Sequence, residues 1–207
     1  MSLQEHSAVI HVHRDEVGAR MGMWLFLFTE LLLFGGMFLL YSVYRFTYAD
    51  QFHLAAKELN TIIGAFNTAI LLTSSMTMAL SIIAIQRDQR MLSLFLQVIT
   101  ILLGLFFMIN KFFEWTAKFH HGIYPGSEEL LSRPSGEILF FGLYYVMTGL
   151  HGLHVLVGMI LIAVMARMTR KGIVTHDNYV LLENTCLYWH LVYIIWIFLF
   201  PLFYLIT

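Results

Sequence analysis

The sequence predicts an all-α fold, a polytopic integral membrane bundle of five transmembrane helices. Three observations predict it. Hydrophobic residues fill 59% of the 207 positions and charged residues only 12%, about half the charged share of a soluble domain. Mean hydropathy is +0.74. Apolar stretches recur five times along the chain, each long enough for the roughly 20 residues that cross a hydrocarbon core. In lipid such a segment must satisfy its backbone hydrogen bonds internally, so each is read as a helix.

The elements follow in order. Residues 1–20, "MSLQEHSAVIHVHRDEVGAR", are polar, without a short apolar core or a small-residue cleavage site, and read as a retained tail. His11 and His13 are spaced to chelate a metal, but a solvated tail is the simpler reading. The first span, about 21–45, contains "MWLFLFTELLLFGGMFLLY" with Glu30 in its middle. The second, about 58–85, carries Asn60, Gly64, Asn67 or Thr68, and Ser74 or Ser75 along one side. Small and polar residues mark helix contacts in lipid, so this side is expected against protein. The third, about 91–119, holds Lys111, Glu114 and Trp115 near one end, an interfacial pattern. The connection 120–137 has two of the three prolines. In the fourth, about 137–168, Tyr144, Thr148, His151, His154 and Gly158 share a stripe, with Gly142 and Gly149 nearly opposite; such a helix touches protein on two sides. The fifth, about 183–206, carries His190 and, near its end, Pro201, a potential kink. "LLGLFF" and "IFLF" read as lipid-facing or partner-facing surface. Residues 21–207 thus form one membrane domain.

Basic residues orient it. Seven (Arg14, Arg20, Arg87, Arg90, Arg167, Arg170, Lys171) fall on the N-terminal side, and five (Arg45, Lys57, Lys111, Lys118, Arg133) on the other. The positive-inside rule then puts the N-terminus in the cytoplasm and the C-terminus outside. A net charge of −1 argues against nucleic acid as a partner. The single cysteine, Cys186, closes no intrachain disulfide and has no CxxC companion, which argues against structural zinc and thiol redox chemistry.

The ionisable residues inside the spans carry the functional question, because such groups are rare in lipid. At 1.5 Å per residue, Glu30 lies roughly 14 Å from the cytoplasmic end of its helix, His154 roughly 20 Å and His190 about 10 Å, with His151 somewhat deeper than His154. These depths overlap, so Glu30 could hydrogen-bond one of the histidines. For His151 and His154, tying helices together is an equally good reading, and for His190 and Glu114 it is the better one. For Glu30 it is poorer, since glutamine would bond as well without the cost of ionisation.

"MWLFLFTELLLFGGMFLLY" resembles the helix of haem–copper oxidase subunit III that holds that family's carbodiimide-reactive glutamate. "TGLHGLHVLVG" (148–158), with Thr148, Gly149 and Gly152, is similar to the family's Thr-Gly-x-His-Gly-x-His-Val signature. "YWHLVYIIWIFLF" (188–200), with Trp189, resembles its last helix, and "NKFFEWTAKFHHGIYPGS" (110–127) the segment before its external loop. The match runs in order from Gly22 to Leu205 and fits the short five-helix bacterial form. One departure is Tyr193, where the family commonly has Asp. The resemblance implies an accessory, non-redox subunit of a proton-pumping terminal oxidase in a bacterial inner membrane. It would dock on catalytic subunit I, binding no haem or copper itself, with those cofactors in partner subunits. It would hold structural phospholipids in a cleft beside Glu30, stabilise subunit I and support proton uptake. His151, His154, His190 and Glu114 would be polar positions inside the bundle, none of them catalytic.

"LLTSS" (71–75) and "LFPLFYL" (199–205) are also similar to subunit-III-like proteins of nitric oxide reductases. Two other classes compete. A b-type haem cytochrome needs facing histidines on two helices, and His151 with His154 on one helix cannot supply both faces of a haem. A proton-coupled transporter would show an inverted repeat, and Gly35-Gly36 has no counterpart in the second half. The electron donor and the acceptor are set by other subunits and are not legible in this chain.

Overall fold

The computed structural model describes residues 16–206, and His11 and His13 lie outside these described residues. The chain folds into α1 (Glu16–Thr47), α2 (Ala49–Ala56), α3 (Thr61–Gln86), α4 (Arg90–His120), α5 (Glu128–Leu131), α6 (Ser135–Arg170) and α7 (Val180–Tyr204). Five of these, α1, α3, α4, α6 and α7, are long and apolar enough to cross a membrane. They correspond to the five expected spans. Among the described residues there is no β-strand, only an isolated bridge between Thr175 and Asn178. Helix α6 has 36 residues, about 54 Å at the helical rise, so its ends extend past a roughly 30 Å hydrocarbon core. Helix α1 begins at Glu16, so the last residues of the polar N-terminal segment are already helical.

Helices α3, α4, α6 and α7 pack around a shared core, while α1 leans on the outside against α6, α7 and α2. Half of the most apolar stretch of α7 is buried, but only 11% of that of α1. The reason is visible in composition. Helix α3 offers Gly64, Asn67, Ser74 and Ser75, all buried, and these small or hydrogen-bonding groups let neighbours approach closely. Helix α1 presents Trp24, Leu25, Phe28, Leu31, Leu32 and Leu39, all exposed, and has little to hold a second helix there. Asn60, expected on the α3 contact side, caps the helix instead: its Oδ1 accepts the N–H groups of Ile62 and Ile63 at 3.0 and 3.2 Å.

The core is built by aromatic rings set into gaps left by small residues. Trp189 is buried and its indole lies against Gly158 and Gly104, where an added Cβ would come within 2.7 and 3.0 Å of its ring. Its N–H donates to Ser74 Oγ at 3.2 Å, and the Trp196 N–H donates to Thr68 Oγ1 at 3.0 Å. The serines and threonines of α3 therefore position the two tryptophans of α7. Two apolar runs divide between surface and core. In "LLGLFF", Leu102, Leu105 and Phe106 are exposed, but Phe107 is wholly buried. In "IFLF", Ile197 and Phe198 are exposed and Leu199 is buried. Reading whole runs as surface fails because helical periodicity turns every third or fourth member inward.

Helix α2 lies in the stretch expected as a connection. Phe52 anchors it between Tyr41 (ring centroids 5.5 Å apart) and Phe140 (5.4 Å). Gln51 Oε1 accepts the N–H of Gly136 at 2.6 Å, satisfying a donor in the first turn of α6. Pro201 sits inside α7, close to its end.

Candidate functional site: a carboxyl–imidazole pair and a buried ionic network

Glu30 on α1 meets His154 on α6, with Oε2 2.9 Å from Nε2. Both side chains are largely enclosed, at 16% and 12% exposure. The imidazole is fixed from its other side, because Nδ1 lies 2.8 Å from the carbonyl of Leu150 and must donate to it. Its ring lies edge-on to Phe34 and stacks loosely on Tyr188, whose hydroxyl donates to the carbonyl of His154 at 3.3 Å. With Nδ1 protonated, the contact to Glu30 has two forms. Either the protonated acid donates to a neutral imidazole, or the imidazolium donates to a carboxylate. One proton is shared by the pair, and the pair is one of several polar links between α1 and the bundle, beside the Arg20–Glu183 bridge and the hydrogen bond from Asn184 to the carbonyl of Ala19.

A second polar group lies between α4, α6 and α7. Glu114 Oε1 accepts from the hydroxyls of Tyr144 and Tyr204, each at 2.5 Å, and Oε2 accepts from Lys111 Nζ at 3.1 Å. Lys111 also donates to Tyr204 Oη at 2.5 Å and sits 4.6 Å from the Trp196 ring centroid. The Lys111 and Glu114 side chains are only 10% and 8% exposed. This is an enclosed network. Each charge has a partner and each hydroxyl proton a destination, the condition under which buried ions are tolerated. Nearby, Asn110 donates to Asn67 Oδ1 at 2.9 Å.

The remaining residues are separate from both groups. His151 is fully buried, flanked by Phe107 and Trp196 at centroid distances of 5.7 and 5.4 Å, and neither ring nitrogen has a hydrogen-bond partner among the described residues. His190 turns back on its own helix, donating from Nδ1 to the carbonyl of Cys186 at 2.8 Å. So Glu30 and His154 come together, Glu114 joins Lys111, and His151 and His190 stand apart. Among the signature residues, Thr148 donates to the carbonyl of Tyr144 at 2.6 Å, Gly149 lies beneath the Trp115 ring, and Gly152 faces open space. Tyr193 is partly buried. The tyrosines that complete the sites, Tyr188 and Tyr204, carry no signal within their own helix; only the tertiary contacts single them out. At the loop end of the bundle Arg133 pairs with Glu58 at 2.5 Å and Glu137 at 3.3 Å. The hydrogen bond to Glu58 chiefly raises its pKa above the ordinary arginine value. Among the described residues no group of three or more His, Cys, Asp or Glu is placed to hold a metal ion.

Fold and site together define a multi-pass membrane protein with one shared-proton pair and one enclosed ionic network between its helices. The family model for cytochrome c oxidase subunit III matches residues 3–207. The chain belongs to that family. It is 31% identical over 201 residues to cytochrome c oxidase subunit 3 of Thermostichus vulcanus, covering 97% of this chain and 93% of that one. It is 29% identical to a Staphylococcus saprophyticus protein named "Probable quinol oxidase subunit 3", covering 90% and 88%. A third relative, "Heme-copper oxidase subunit I+III" of Aeropyrum pernix, is 28% identical; the match takes in 90% of this chain and 22% of that longer one. The protein is accordingly an accessory subunit III of a haem–copper oxidase, a multi-pass bacterial membrane protein that associates with other oxidase subunits. These relatives are all named as oxidase subunits, which favours this assignment over the nitric oxide reductase, cytochrome and transporter readings.

Proposed function

We propose that the subunit docks on catalytic subunit I of a respiratory oxidase and holds phospholipid beside Glu30. In this role it stabilises the catalytic subunit during turnover and supports its proton uptake. Haem and copper, on this reading, belong to the partner subunits. The fused subunit I+III relative supports adjacency to subunit I, since fusion keeps two chains at high effective concentration.

The observation that carries the lipid role is the setting of Glu30. Next to it, between α1 and α7, runs an apolar groove of about 210 Å³ lined by Leu31, Phe34, Gly35, Phe38, Ile194 and Phe198, among others. Its walls suit an acyl chain; Glu30 and His154 do not line it and meet it through Phe34, whose ring lies edge-on to His154. The orientation that fits is the N-terminus and residues 1–20 on the cytoplasmic side, with the membrane domain from 21 onward ending outside. One of the five basic residues counted on the outer side, Lys111, is enclosed within α4 and paired with Glu114, which widens the difference between the two flanks.

The test is Glu30→Gln in the assembled oxidase, with bound lipid quantified and the lifetime of activity followed during sustained turnover. Expected are normal assembly, altered lipid content and faster loss of activity. Wild-type lipid content together with a wild-type lifetime would reduce Glu30 to a helix tie.

A further inference from the structure

A second groove, of about 810 Å³, opens between α3 and α4 at the end of the bundle that carries α5. It is separate from the Glu30 groove and has two unlike halves. Toward the spans its wall is apolar, made by Ile62, Ile63, Phe66 and Phe113, which are 81%, 38%, 54% and 66% exposed. Toward the helix ends it is polar, lined by Glu58, Lys118, His121 and Arg133.

The charges in that polar half are unevenly satisfied. Glu58 is paired with Arg133, and Arg133 also with Glu137. Glu114, deeper in, receives Lys111 and two tyrosine hydroxyls. Lys118 is different. It is 7% exposed, yet among the described residues no carboxylate pairs with it. Its Nζ has one long hydrogen bond, 3.5 Å to the carbonyl of Glu58, and stands 5.6 and 5.7 Å from the ring centroids of Phe141 and Tyr144. Glu114 and Glu58 act on it at longer range, but neither carboxylate reaches it; an ammonium group has three donors and no acceptor, and enclosing one with no anion in contact is costly. The N-terminus of α3, a helix of 26 residues, borders the same groove through Asn60, Ile62 and Ile63 and adds the positive end of its dipole.

From this complementarity we propose that the α3–α4 groove is a binding site for a single phospholipid. Lys118 holds the phosphodiester oxygens, and one acyl chain lies along Ile62, Ile63, Phe66 and Phe113. The lipid is favoured over free phosphate because half the groove is apolar and continuous with the outer faces of two spans. The polar half also lies where headgroups do, since Lys118 is in the last turn of α4 and Glu58 just precedes α3.

The experiment uses the intact oxidase complex, with retained phospholipid counted by native mass spectrometry after mild delipidation. Wild-type and Lys118→Arg complexes should each keep a phospholipid that Lys118→Met loses, and Glu30→Gln, which acts on the other groove, should keep it too. Millimolar inorganic phosphate should not displace it. A Lys118→Met complex with the wild-type phospholipid count overturns the proposal, and so does displacement by phosphate alone, which would make this a free-anion site. If Lys118→Met fails to assemble, the wild-type complex decides by reconstitution with a phospholipid bearing a photoreactive diazirine on its acyl chain. Cross-links to Ile62, Ile63, Phe66 or Phe113 support the site, and cross-links found solely elsewhere reject it.

Discussion

Because the Nδ1–H of His154 is committed to the carbonyl of Leu150, the proton between Nε2 and Glu30 decides how each substitution behaves. Glutamine at position 30 can donate its amide N–H to a neutral imidazole, so Glu30→Gln should keep the contact and lose only the titratable proton. Alanine leaves Nε2 enclosed without a partner, a loss of about 1–3 kcal/mol. Thermal denaturation of the assembled complex should therefore rank wild type and Glu30→Gln together, with Glu30→Ala melting lower. Equal melting of Glu30→Ala would mean that water replaces the carboxyl without loss. A second comparison tests the aromatic core. A Cβ at Gly158 would lie 2.7 Å from the buried Trp189 ring, whereas one at Gly152 meets nothing within 4 Å. Gly158→Ala should cost about 1–3 kcal/mol through overpacking, and Gly152→Ala should leave the melting temperature close to wild type or raise it slightly, since alanine favours helix.

Helices differ in how firmly they are held. Helix α1 is tied to the rest by the Glu30–His154 pair, the Arg20–Glu183 bridge at 2.9 Å, the Tyr41 hydroxyl on the carbonyl of Leu202 and a few ring contacts. Helices α3 and α7 interlock through Gly64, Ser74, Trp189 and Trp196. Local stability follows such density of buried contact. Hydrogen exchange of the subunit in detergent should show α1 amides exchanging well before those of α3 and α7, and Glu30→Ala should speed α1 alone. Uniform exchange across the five long helices would contradict this picture. The same contrast explains which elements could be read from sequence. The five spans were legible because length and apolarity are local properties. Helix α2 was not, since "ADQFHLAA" is short and mixed, and it is fixed by Phe52 entering between Tyr41 and Phe140, the second of them distant in the chain.

At the scale of the whole molecule, legibility depends on whether a contact follows from depth alone. Helical rise placed Glu30 and His154 at similar levels in antiparallel helices, and the structure joins them. The same arithmetic could not say that Tyr144 and Tyr204 converge on Glu114, or that His151 is set among rings with no hydrogen-bond partner, because those depend on how each helix is rotated. Depth also depends on the direction in which the chain crosses the membrane, and this proposed orientation has a direct test. Asp177 and Ser132 are exposed and lie beyond opposite ends of α6, a helix of 36 residues that spans about 54 Å by helical rise, while the native Cys186 is buried. In intact cells a membrane-impermeant maleimide should label Ser132→Cys and leave Asp177→Cys unlabelled until the membrane is permeabilised. The reverse pattern would place the seven-residue basic flank outside, and with it the polar end of the α3–α4 groove would face the inner leaflet instead of the outer one.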